Sequence, residues 1–224
     1  MEDNDNISNP TSGQILKADE PRSMAAGALR KLGHAFVSHE IDETLLTNIH
    51  TTIDKLLPTI NKGEKRVRAI AAMKRAAFAK APKDQESIDH FPDCVVSGLE
   101  NPMGIAASGY RDKDDAVIDV TLGAAFEGAP NRAHGGIVAA LFDDVMGMIL
   151  NIIETPAFTG RLTINYLAPT PVNEPLEFRA QCDRIEGRKI YVSAKALHGE
   201  NIIATAEAIF ISVSQSKFIS QEQK

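Results

Sequence analysis

Residues 131–150, Asn-Arg-Ala-His-Gly-Gly-Ile-Val-Ala-Ala-Leu-Phe-Asp-Asp-Val-Met-Gly-Met-Ile-Leu, constrain what this chain can fold into more than any other stretch. Ile137, Ala140, Leu141, Val145 and Met148 recur at three- and four-residue spacing, which predicts a strongly apolar helix. Pro130 and the pair Gly135-Gly136 punctuate its start, where the backbone is released from ordinary dihedral limits and can approach another molecule closely. Asp143 and Asp144 interrupt its middle. A carboxylate among apolar neighbours is costly unless it is paired or put to use, so the helix reads as more than core.

The sequence around this helix alternates with a period of two. Residues 93–99, 103–111 and 115–122 read as strands before it, with Asp112-Lys113-Asp114 as a turn, and residues 159–169, 174–186, 188–198 and 201–213 read as strands after it. Turns fall at Pro169-Thr170-Pro171, Glu186-Gly187 and His198-Gly199-Glu200-Asn201, and strands joined so closely must be antiparallel neighbours. The expected class is α+β, with an antiparallel sheet wrapped around one central helix. Residues 1–22 are polar and read as a flexible terminus, 23–91 as an extra N-terminal helical segment, 92–213 as the main domain and 214–224 as a tail.

Three helices are expected in the N-terminal segment: 24–38, 42–57 ended by Pro58, and 63–81 ended by Pro82. The second carries the stripe Ile41, Leu45, Ile49, Ile53 and Leu56 or Leu57 behind an Asp42 N-cap. The third sets Val67, Ile70, Ala71, Ala77 and Phe78 against a basic flank of lysines and arginines. That flank reads as a solvated face, with contact to an acidic ligand or membrane surface as the alternative.

With a net charge of −6 and a pI near 5.5, the 224-residue chain has no reason to seek nucleic acid. Cys94 and Cys182 lie far apart without a CxxC pair, which argues against a disulfide framework and against a zinc site. The acidic N-terminus lacks signal-peptide features and no apolar run is expected to reach membrane-span length, so the expected location is the cytoplasm. No GxSxG, GxGxxG, GxxxxGK[ST] or HExxH pattern occurs.

The start of the central helix is the strongest candidate site. The first turn of a helix leaves N–H groups unpaired and carries partial positive charge, so His134-Gly135-Gly136 outlines an oxyanion hole with the Gly136 N–H as donor. The plainer alternative is that Gly-Gly only makes the helix entry and His134 packs in a core. Asp143 follows Gly136 by seven residues, roughly 10 Å along the axis at about 1.5 Å per residue. Both groups can act on one carbonyl only if the carboxylate comes from a second copy across a two-fold axis. Otherwise Asp143 makes a helix-to-strand hydrogen bond or faces solvent. Asp144, about 100° further round the helix, cannot share its direction.

Phe126-Glu127-Gly128, His134-Gly135-Gly136 through Asp143, Arg161 to Pro169, and Gly187-Arg188-Lys189 resemble hotdog-fold thioesterases of the phenylacetate-pathway (PaaI-like) type over about residues 92–213. The resemblance implies a hotdog fold and an acyl-CoA thioesterase built as a homodimer or dimer of dimers (a homotetramer). It implies no cofactor beyond the CoA of the substrate. In its pattern the Asp falls nine residues after the His, which selects Asp143 over Asp144. Gly136 matches the oxyanion position, Thr159 matches the Ser or Thr that holds the attacking water, and His134 orients the loop or the thioester. Gly135, Asn131 and Gly160 fall at substrate-binding positions. Whether Asp143 is a general base or a nucleophile stays open. Arg188 and Lys189 are candidates for the CoA phosphates or for a plain exposed turn. Two departures stand out: Pro130-Asn131 replaces the usual Pro-Gly, and the upstream Asn or Gln of some relatives falls near Glu127 or Gly128. His90-Phe91-Pro92 is similar to a dehydratase tripeptide but lacks its continuation and reads as loop. A non-catalytic hotdog module that binds acyl-CoA or lipid is the alternative function.

Overall fold

The computed structural model describes residues 20–66, 80–88 and 91–213. The stripe of the third expected helix, His90 and the tail 214–224 lie outside the described residues. Two helices open the chain, α1 (Glu20–Ser38) and α2 (Glu43–Asn61). Strands β1 (Ser108–Asp112) and β2 (Asp115–Thr121) follow, then a 3₁₀ turn (Ala124–Phe126) and the short pair β3 (Glu127–Ala129) and β4 (Arg132–Ala133). The central helix α3 (Gly135–Ile152) leads into β5 (Ala157–Tyr166), β6 (Pro175–Glu186), β7 (Lys189–His198) and β8 (Asn201–Ser212). The six strands other than β3 and β4 form one antiparallel sheet in the order β1-β2-β6-β7-β8-β5, so β5 is an edge.

The sheet curls round α3 because its inner face is lined by small residues. Ala180, Ala194, Ala196, Ala204, Ala206 and Ala208 are all buried there, and their short side chains let the helix come close. Bulk comes from the helix itself: Val138, Leu141, Phe142, Val145, Met146, Met148 and Ile149 are buried, with Phe142 set edge-on to Phe178 at 5.1 Å. Fully burying each large side chain stabilises by about 1.5–3 kcal/mol. By length and composition this 18-residue helix would also suffice to cross a membrane, which corrects the expectation that no segment reaches that length. Here the sheet encloses it.

Further expectations need correction. Residues 93–99 are turns rather than a strand, because Cys94 N–H bonds to Phe91 O and Gly98 N–H to Cys94 O, curling the backbone before it can pair. Residues 105 and 107 do reach Val95 and Val96 by backbone bonds, but β1 starts only at Ser108. Helix α2 runs past Pro58 to Asn61, since a ring in the last turn removes only one N–H and Lys62 N–H closes the turn onto Pro58 O. The Asp42 N-cap is present, accepting from Leu45 N–H at 3.0 Å.

Helix α1 docks on the main domain. Arg30 donates to the carbonyls of Leu99 (2.9 Å) and Asn101 (2.7 Å), and buried Glu100 pairs with Arg66 at 2.9 Å and Arg22 at 3.7 Å. His34 meets Phe126 edge-on at 5.1 Å and accepts from Ala125 N–H at 3.1 Å, which ties α1 to the 3₁₀ turn. No residue of α2 is buried. Segment 80–88 is not helical: Gln85, Ile88 and Ser87 bond along β1.

Candidate active site

His134 is the N-cap of α3, in extended backbone, and its Nδ1 accepts from Gly136 N–H at 2.9 Å. An imidazole that accepts at Nδ1 in its neutral form carries its proton on Nε2. The His134 backbone is fixed from behind: its N–H bonds to Phe126 O at 2.8 Å, and Ala133 N–H bonds to Thr170 O at 2.9 Å. Asn131 takes the left-handed conformation with φ 60°, as the replacement of Gly there requires, and turns β3 into β4. Gly128 lies against the histidine so closely that a Cβ would stand 2.8 Å from His134 Cα and 2.9 Å from its Cδ2. No upstream Asn or Gln side chain fits there; Glu127 beside it is exposed.

In front of the helix start lies an open groove of about 510 Å³. Arg132, His134, Gly135 and Tyr166 line one part of it, and Val138, Leu167 and Pro169 give it apolar walls. Tyr166 is a site residue that the sequence reading missed; its hydroxyl donates to Gly135 O at 2.8 Å.

The second half of the site lies two turns further along the helix. Thr159 donates its hydroxyl to Asp143 Oδ1 at 2.9 Å, and both side chains are exposed. Gly160 causes this. The β5–β8 register slips between Thr159 and Arg161, so Gly160 is the extra residue of a bulge, and a Cβ there would press on Ile211 at 3.0 Å and on Ile209 O at 3.2 Å. Bulges re-aim side chains, and this one aims Thr159 at α3. The bond is also the helix-to-strand link expected of a structural Asp143, so geometry alone serves both readings.

Asp144 points elsewhere, accepting from the Cys94 thiol at 3.7 Å and tying loop 91–107 to the helix. Arg188 and Lys189 are exposed at the β6–β7 turn, where Gly187 has φ 59°, and Arg188 Nε donates to Ser212 O at 3.1 Å. Lys189 pairs with Ile211, which pairs in turn with Phe158, so both cations sit at the Thr159 end of the sheet rather than at the groove. One chain thus unites Asn131, His134, Gly135, Gly136 and Tyr166 at one place and Asp143, Thr159 and Gly160 at another. Among the described residues no group of three or more His, Cys, Asp or Glu converges as a metal site would need.

A single long helix enclosed by a curled antiparallel sheet is the hotdog fold, and the crystal structure of a thioesterase superfamily protein shares it at TM-score 0.74 and 20% identity, covering 88% of this chain and 94% of that one. Residues 131–204 match the thioesterase superfamily. Among curated proteins, it is 32% identical over 93 residues to mouse acyl-coenzyme A thioesterase THEM4, covering 41% of this chain and 40% of that protein. It is 26% identical over 167 residues to human acyl-coenzyme A thioesterase THEM5, covering 62% and 65%. The chain spans about half the length of the THEM4 relatives it matches.

Proposed function

We propose that the chain hydrolyses acyl-CoA thioesters to free acid and CoA, with each active site shared between two copies. The observation that carries this reading is that the Thr159–Asp143 hydrogen bond, 2.9 Å between edge strand and helix, leaves both side chains exposed, as a plain structural link need not. The names of the relatives support the substrate class. The Gly136 N–H at the positive end of α3 polarises the thioester carbonyl. Asp143 of the partner subunit takes a proton from a water held by Thr159, and that water adds to the carbonyl. Collapse of the tetrahedral intermediate breaks the C–S bond and expels the CoA thiolate, which takes up the proton that Asp143 accepted from the water. One carboxylate oxygen is already committed to Thr159, which favours the general-base role over direct attack. The spacing of Gly136 and Asp143 along one helix requires the dimer, and a dimer of dimers preserves the same sites. Arg188 and Lys189, exposed at the Thr159 end of the sheet, are the groups assigned to the CoA phosphates.

The test is Asp143→Asn assayed by thiol release across short, long and aromatic acyl-CoAs. The expected loss in kcat is about 10² to 10⁴ with the assembly intact. A dimeric, fully active variant refutes the assignment. One observation favours a second reading, a non-catalytic acyl-CoA binding module: the Gly136 N–H is already taken by His134 Nδ1. For hydrolysis the substrate carbonyl must displace or share that bond. Bound thioester that survives hours of incubation would establish the binding module, and rapid hydrolysis would eliminate it.

A further inference from the structure

Tyr166 ends the edge strand, opposite Ala204, and the chain beyond it is pinned where Leu167 and Ala168 N–H both bond to Ile203 O. Its ring therefore projects from a fixed backbone. The hydroxyl donates to Gly135 O at 2.8 Å, and a Cβ built on Gly135 would lie 3.5 Å from both Cζ and Oη, ordinary contact with the ring. The carbonyl of Gly135 and the N–H of Gly136 belong to one peptide unit. A donor on the carbonyl draws electron density from the amide and strengthens its N–H as a donor, the cooperative effect known for hydrogen-bond chains. The run is Tyr166 O–H to Gly135 C=O, through the amide, to Gly136 N–H and His134 Nδ1 at 2.9 Å.

We infer that Tyr166 is a positioning residue that clamps and polarises the Gly135–Gly136 peptide, the unit whose N–H serves as oxyanion donor. The inference rests on the proposed hydrolysis and adds to it a residue outside the His-Gly-Gly and Asp pattern. Because the hydroxyl is spent on Gly135 O, it acts through the amide, so its effect belongs to the transition state, where charge develops on the carbonyl oxygen, rather than to substrate binding.

The experiment uses Tyr166→Phe, which keeps the ring against Gly135 and removes only the donor. Glycine-selective ¹⁵N labelling reads the Gly136 amide directly, without substrate. The expected result is a displaced Gly136 ¹⁵N resonance with Gly187 and Gly199 unmoved, and a kcat lowered about 3- to 10-fold, one hydrogen bond's worth, with KM changed less than about twofold. An unmoved Gly136 resonance overturns the inference. So does a moved resonance with unchanged kcat, or a loss confined to KM, which would make Tyr166 a mere wall of the groove. A wild-type protein that hydrolyses no acyl-CoA overturns the proposed function and this inference together, whereas an active wild type with an unaffected variant overturns this inference alone.

Discussion

Gly128→Ala should cripple the site while leaving the protein folded. A methyl group at residue 128 would stand 2.8 Å from His134 Cα, 2.9 Å from Cδ2 and 3.0 Å from Cβ. Carbon atoms settle at about 3.5–4.0 Å, so the histidine or the β3 backbone must give way by roughly 0.7 Å. His134 has little freedom to do so, since its N–H is tied to Phe126 O and its ring to Gly136 N–H. Overpacking of this kind costs about 1–3 kcal/mol, or roughly 2–4 °C in Tm for each kcal/mol in a chain of this size. Misplacement approaching 1 Å at a catalytic group costs on the order of 10²-fold in rate. The expected outcome is therefore a drop in Tm of several degrees with kcat/KM reduced about 10- to 100-fold, measured by differential scanning calorimetry and thiol release on one preparation. Wild-type kcat/KM with unchanged Tm would show that the Gly128–His134 contact constrains nothing.

Gly147→Ala should do the opposite: a Cβ there meets no atom within 4 Å, and Gly in a helix interior costs about 1 kcal/mol relative to Ala. Its Tm should rise by roughly 2–4 °C, and a fall would show that another surface packs on that face of α3. Docking of α1 should weaken in acid. Partial burial holds the His34 imidazole below the usual histidine range, so the unfolded chain takes up a proton at a pH where the folded chain does not. The contribution is fully present above about 6.5 and is lost as pH falls through His34's lower folded value. Calorimetry between these limits should show Tm falling with pH in the wild type and a shallower slope in His34→Gln, and identical slopes would contradict the assignment.

The hairpins from β6 to β8 were readable in the sequence because alternation and turn residues are local signals and agree there. Helix α3 was readable for the same reason, whereas the choice of Asp143 as partner to His134 rested on the resemblance to hotdog thioesterases. What escaped was set by contacts between distant residues. Tyr166 looks in sequence like any aromatic on a strand, and its role comes from a hydrogen bond to a carbonyl 31 residues away. Gly128 differs from other glycines only because His134 folds back over it. Residues 93–99 failed in the reverse sense: Val95-Val96 imitates a strand, while turn bonds between neighbours decide the matter. Asp144, kept apart from the chemistry by its direction on the helix, meets Cys94, a partner no local pattern identifies.

The alanine-lined inner face has a consequence for how such a domain can vary. Six short side chains leave α3 no room to slide or rotate, and large replacements among them would displace it bodily. The helix is thus a ruler of fixed length, with Gly136 and Asp143, the proposed oxyanion donor and carboxylate, as its two marks. New acyl preferences have to arise around the ruler, in the groove walls at Val138, Leu167 and Pro169 and in the segments that reach over them, while the interval between the marks stays constant.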